Sequence, residues 1–270
     1  MERCNSRRKA IPKLTKCMVV SAKVLTVIGF SCLACVLFVQ AREQTNAAGN
    51  QVPDLSGVWM EQSTGGTFSK DPAPPMTPWA ETKFRANLPT MGPRAALDAN
   101  DPTLNCFPPG LPYILIIPTP VEIIQTPGRL TELFEYDHSV RRIYTDGRKH
   151  PGDLKETGVD QWMGHSIGRW AGDTLVVDTI GFNDKTWLDR LGHPHSDALH
   201  VVERIRRVDH DTLEDRITVA DPVAYTRPWK GLVLFKLKSN WDIFEHICVT
   251  QAEEGRDYFQ YHERTWSPPK

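Results

Sequence analysis

From residue 114 onward the chain alternates apolar and polar positions with a period of two, interrupted at short intervals by Gly, Pro, Asp and Asn. That pattern belongs to half-buried strands joined by tight turns. Strands are predicted over 121–126, 129–136 and 139–145, with Pro127-Gly128, Asp137-His138 and Asp146-Gly147 as the turns. The clearest hairpin lies at 165–170 and 174–182, joined by Ala171, Gly172 and Asp173, where Gly supplies a positive φ. Further strands are predicted over 201–208, 212–220, 231–238, 241–250 and 258–266. About ten strands with turns roughly every 8 to 12 residues make an all-β domain. An antiparallel meander closing into a β-barrel removes its sheet edges, and a two-sheet sandwich is the alternative.

Ahead of this region the pattern changes. Residues 65–112 are rich in Pro and Gly, interrupted by TPWAETKFRANL at 77–88. Thr77 as N-cap, Pro78 at the first helical position and Glu81 in the first turn predict a helix that caps the barrel. PTLNCFPPGLPY at 102–113 loses too many backbone donors to be helix or central strand and is predicted to be an ordered connection.

Composition divides the chain into an N-terminal segment, a leader and one domain. Residues 1–41 hold seven basic residues, one acid and an uncharged run over 24–39. A basic region before an apolar one predicts a signal peptide cleaved after Ala41, the alternative being an uncleaved N-terminal membrane anchor. Residues 42–53 read as a flexible leader and 54–270 as a single domain, periplasmic or secreted. Beyond residue 41 there remain 25 Lys and Arg against 32 Asp and Glu, a net charge near −7. A domain of that sign without a basic, aromatic-interleaved block is not expected to bind nucleic acid. Membrane contact is expected only through the N-terminal segment. Of six cysteines, only Cys106 and Cys248 lie beyond residue 41, and two cysteines in an exported domain predict a disulfide, with two buried thiols as the alternative.

Candidate chemistry follows from the polar residues that interrupt this pattern. On 199–205, 213–219 and 241–247 a single carboxylate breaks an otherwise apolar face: Glu203, Asp215 and Glu245 respectively. If those faces point inward, each carboxylate needs a partner such as Arg142, Arg204 or a histidine. The stretch 162–203 adds a loop crowded with Trp187, Asp189, His193, His195 and His200. Polar loops on a rigid scaffold are where sites tend to lie. His193, His195 and His200 could reach one zinc or iron ion, although Pro194 bends the chain between the first two. A histidine beside a carboxylate can instead exchange a proton near neutral pH, and His138, His165 or His195 with Asp178 or Glu203 offer that pairing. Arg142 and Tyr144 could polarise a carbonyl or hold a carboxylate. Ser166 lies in His-Ser-Ile-Gly, not in a nucleophile elbow, and no nucleotide-binding glycine motif is present.

Gly57-Val58-Trp59 is the G-x-W arrangement that opens lipocalin-like barrels, and with the strand order it resembles the calycins. GHSIGRWAGDTLVVDTIGFNDKTWLD at 164–189, HPHSDALHVVER after it and DPVAYTRPW at 221–229 are similar to a group of exported bacterial proteins of unassigned function. The calycin resemblance implies a barrel that binds small apolar molecules, a few such proteins being isomerases, hydratases or cyclases, and leaves the reaction open.

The expected architecture is therefore an antiparallel calycin-like β-barrel of about ten strands with a Pro-rich N-terminal helical cap. The expected function is an exported, cofactor-independent enzyme of lyase, isomerase or cyclase type on a small apolar or aromatic substrate. Its expected catalytic residues are His165, His195, Glu203, Asp178 and His138. Arg142, Tyr144, Trp187, His193, His200 and Glu245 are expected to bind the ligand, and Cys106 and Cys248 to pair. A non-catalytic carrier and a His-ligated metal enzyme are the alternatives.

Overall fold

Nine strands form where the alternation is cleanest: β1 Gly57–Glu61, β2 Val121–Thr126, β3 Arg129–Phe134, β4 Val140–Tyr144, β5 His165–Ala171, β6 Thr174–Ile180, β7 His200–Arg207, β8 Thr212–Ala220 and β9 Trp229–Leu237. They are taken from a computed structural model, which describes residues 52–62, 65–69, 74–88, 100–152, 154 and 161–248. The leader up to residue 51, the N-terminal segment and the strand expected over 258–266 lie outside the described residues. The strands close in sequence order into one barrel, β9 pairing back onto β1.

The closure corrects the expectation of an all-antiparallel, ten-stranded meander. A closed ring with an odd number of strands cannot alternate in direction all the way round. Here the exception is β4–β5, which run parallel with Ile143 opposite Ser166 and Tyr144 opposite Ile167. A parallel neighbour needs a long crossover, and residues 145–164 supply it. The strand expected over 241–250 is absent across 241–248 for the same geometric reason. β9 already has β8 on one side and β1 on the other, so no edge is left to extend. Residues 241–248 run instead as a strap. It is tied by the Phe244 N–H to Glu135 at 3.0 Å, by the Asp137 N–H to Nδ1 of His246 at 3.3 Å, and by the Cys106–Cys248 disulfide. Glu245 is exposed on this strap and does not face the barrel interior.

The helix forms as the sequence predicts. Helix α1, Pro78–Asn87, starts at Thr77, whose hydroxyl accepts from the Ala80 N–H at 3.3 Å, with Pro in the first turn where no donor is lost. Phe84 of α1 stacks on His193 at 4.8 Å, and Asn87 donates to the Gly192 carbonyl at 2.8 Å. No helix of the described residues is long and apolar enough to cross a membrane.

Inside the barrel, apolar side chains such as Trp59, Ile143, Val177, Val201 and Val233 surround a buried polar cluster centred on Arg141. All five guanidinium N–H donors are used. Nη1 donates to Glu203 at 2.9 Å and Glu132 at 3.2 Å, Nη2 to Glu203 and to Thr179 at 3.1 Å, and Nε to Ser166 at 3.1 Å. Glu203 and Asp215 thus point inward as their strand alternation predicts, but their cation is Arg141 and not Arg142 or Arg204. Odd-numbered residues of β4 face in, so Arg142 faces out and is exposed.

One guanidinium faces three carboxylates. Burial, followed by the charge of Glu203, raises the Asp215 carboxyl well above its ordinary range, and neither of its oxygens has a hydrogen-bond partner of ordinary geometry among the described residues. Burial pushes Glu132 up to about 7, with Arg141 opposing and Glu203 adding to the shift. A cavity of about 10 Å³ lies between Glu132 and Asp215, walled by Leu115, Val121, Phe134, Leu213 and others. That is room for roughly one water.

Two outcomes follow. Replacing Arg141 by Met leaves buried carboxylates without their cation and should cost about 3–5 kcal/mol in urea unfolding, with Glu203→Gln costing less. Between pH 4.5 and about 7 the folded state holds a proton on Glu132 that the unfolded chain has released, so this contribution to stability declines as pH rises. Asp215, and Glu61 at about 7 through burial, act in the same sense. Buried His195, whose imidazolium is disfavoured, acts in the opposite sense. Subtracting the melting temperatures of Asp215→Asn from those of the wild type should therefore give a stability difference that falls with rising pH.

Candidate functional site

The phase of four neighbouring strands decides which polar side chains leave the barrel. Arg141 on β4, Ser166 on β5, Thr179 on β6 and Glu203 on β7 face in, so Arg142, Tyr144, His165, Ile167, Asp178, His200 and Val202 face out. Ile167 lies opposite Asp178, and Asp178 opposite Val202. One step back along the β4–β5 register, Arg142 and His165 fall beside each other on the same outer face.

The crossover enters β5 through Gly164 at φ +62°, where a Cβ would stand 2.8 Å from the Thr179 methyl and 2.9 Å from the Ile180 carbonyl. Only glycine fits that approach. The beginning of the same crossover carries Arg148 and His150 over the outer wall.

A continuous hydrogen-bonded chain results. Nδ1 of His165 meets Nδ1 of His150 at 2.9 Å, Nε2 of His150 meets Oδ1 of Asp178 at 3.1 Å, and Nε2 of His200 reaches the same oxygen at 3.1 Å. The proton arrangement follows from donor counting. An ionised Asp178 accepts from His150 and His200, neutral His150 then accepts at Nδ1, and His165 must be its donor. Nε2 of His165 is left as a base. Its side chain stacks on Tyr144 at 5.5 Å, and the Arg148 guanidinium lies 3.8 Å from the centre of the Tyr144 ring, held by Asp146 at 2.6 Å. Burial first, then the charge that His150 carries when protonated and that of Arg148, lowers the pKa of His165. The side chain of His150 is 16% exposed, whereas those of Asp178 and His200 are 45% and 41% exposed. The chain of groups is therefore covered in the middle and open to solvent at the His200 end.

The other expected site residues lie elsewhere. His195 is buried, receiving the Thr186 hydroxyl at Nε2 (2.6 Å) and donating from Nδ1 to the Ser196 carbonyl at 3.0 Å. That order resembles an activated hydroxyl, yet Thr186 and His195 are both sealed from solvent. His193 donates to Asp189 at 2.8 Å beneath Phe84 and Trp229, and Trp187 bridges to Pro194. These contacts, with Asp221 accepting from Ser196 at 2.9 Å, staple the loop over 183–199. Glu203 belongs to the interior cluster, and His138 is exposed at a positive-φ turn position. The three imidazoles weighed as metal ligands thus have three separate sets of partners. Among the described residues no three His, Cys, Asp or Glu converge as a metal site.

Of the expected residues, His165, Asp178, His200, Tyr144 and Arg142 come together, and His150 and Arg148 join them unforeseen. Nothing in the periodicity of the Gly147-Arg148-Lys149-His150 turn region relates it to β5. Compared with known proteins, the chain matches no family model and no curated protein.

The positive neighbours of His165 make a sign prediction. In long-range ¹H–¹⁵N NMR titrations its imidazole should titrate below the ordinary histidine value, and Arg148→Gln should move it upward. An unchanged midpoint in that variant would remove Arg148 from the electrostatics of the site.

Proposed function

We propose that the domain is an exported, cofactor-independent acid–base enzyme of the isomerase or lyase type. Its base is His165, oriented by His150 and Asp178, with Arg142 as the cation for a substrate oxygen. The observation that carries this reading is the continuous chain His165–His150–Asp178–His200, with spacings of 2.9, 3.1 and 3.1 Å. Nε2 of His165 takes a proton from carbon next to a carbonyl, and the C–H electron pair moves toward the carbonyl oxygen held by Arg142 or Tyr144. As the imidazolium forms, its Nδ1–H bond to His150 and the His150–Asp178 pair stabilise it. Returning the proton to another atom isomerises the substrate, whereas expelling a group from the next carbon eliminates it.

Support for a site on the wall, and against a ligand inside the barrel, comes from the interior. The space between Glu132 and Asp215 is about 10 Å³, far below the roughly 300 Å³ and more of ligand pockets. The calycin likeness is part of the same reading. It is supported by buried Trp59, whose indole donates to the Leu55 carbonyl at 2.9 Å with Arg207 5.2 Å from its ring centre. Export is supported by the Cys106–Cys248 disulfide.

Because proton abstraction leaves a record in heavy water, a test does not require the natural substrate. A panel of small cyclic and aromatic carbonyl compounds incubated with the domain in D₂O should include some that gain deuterium next to the carbonyl. His165→Gln should slow that exchange by about 10²–10⁴-fold, with His150→Gln and Asp178→Asn slowing it less. Exchange that persists at the wild-type rate in His165→Gln would end the assignment.

A further inference from the structure

Four residues along β5 from His165, the outer wall becomes strongly basic although residues 42–270 are acidic overall. Arg169 lies directly opposite Val176, Val176 opposite Arg204, and Arg204 opposite Arg216. Val176 faces outward yet is only 6% exposed, flanked on both sides by arginine stems that can cover it. Arg204 and Arg216 are like charges in directly opposed positions, an unfavourable arrangement in a sheet. Two neighbouring arginines each have a carboxylate: Arg206 has Asp173 at 2.8 Å, and Arg216 has Glu214 at 2.7 Å. Arg169 and Arg204 have none among the described residues. Between this row and His165 lie the outward side chains of Ile167 and Val202, on either side of Asp178, whose Oδ1 is engaged by two imidazoles.

We infer that this wall binds a small amphiphilic anion, a carboxylate or phosphate monoester on an apolar stem. Arg169 and Arg204 would take the head group, while Ile167 and Val202 would contact the stem. Guanidinium forks match either head group with paired, charge-assisted hydrogen bonds. Strand rise sets the length: His165 and Arg169 are four residues apart, about 13 Å along β5. A stem spanning that distance would bring the distal end of the ligand to His165. The inference names the substrate class of the acid–base site and rests on that reading for the reacting end, whereas the binding of the anion stands on the arginine row alone.

The test uses octanoate, octyl phosphate and uncharged octanol, titrated into ¹⁵N-labelled domain while the arginine Nε–H and backbone signals are followed. At least one of the anions should shift the Arg169 and Arg204 signals and those of Ile167 and Val202. Affinity should fall by about tenfold or more in the Arg169→Gln/Arg204→Gln double variant and should weaken with salt. Arg206→Gln, which removes an arginine already paired with Asp173, should leave affinity unchanged. If neither anion binds, if octanol binds equally well, or if the double variant binds like the wild type, the inference is overturned. Anion binding that is lost in the double variant, without deuterium exchange in any carbonyl compound, keeps the anion site and removes the acid–base reading. Exchange that depends on His165, in a domain to which neither anion binds, keeps the acid–base reading and removes the anion site.

Discussion

The barrel depends on keeping one guanidinium charged in its buried interior. Arg141 can do so only if its five donors find acceptors, and they come from β3, β5, β6 and β7, with the Asp215 carboxyl on β8 adding its potential. Each of those strands must therefore present one particular residue inward. Because side chains alternate, a slip by one position would turn a whole strand inside out. The interior cluster thereby sets the exterior: Ser166 inward means His165 outward, Thr179 inward means Asp178 outward, and Glu203 inward means Arg204 outward.

Closure with nine strands adds a second constraint. One parallel pair is unavoidable, and the β4–β5 crossover that creates it is also what brings Arg148 and His150 onto the wall. Without that long connection, β4 and β5 would be joined by a hairpin, and His165 would have no imidazole between it and Asp178. Topology and chemistry are linked here by a simple matter of parity.

Apolar side chains and the Arg141 cluster occupy the barrel interior, while the loop over 183–199 is held by its own buried His193–Asp189 and Ser196–Asp221 contacts. Those histidines are consumed by structure. Three partly open histidines, His165, His150 and His200, are linked on one outer face through Asp178. Lowered basicity at His165 arises from partial burial and neighbouring positive charge, conditions that a strand surface beneath a crossover can supply.

Local pattern was enough to read the eight strands after the helix, the Thr77 cap, the inward Glu203 and Asp215, and the Cys106–Cys248 pair. Each depends on near-neighbour spacing or on there being a single partner available. The partner of Glu203 was misread because Arg141 and Arg142 are adjacent, and only the pairing of β4 decides which one enters the core. Glu245 was misplaced because alternation in 241–247 looks like a strand whether or not an edge is free to receive it. His195 and His193 were read as chemistry because a sequence does not reveal that a polar loop is buried. What the sequence determined by itself was periodicity, caps and the identity of the charged residues. Closure, strand phase and the meeting of His150 with His165 were decided only in the tertiary structure, because they arise from contacts between segments that no local spacing relates.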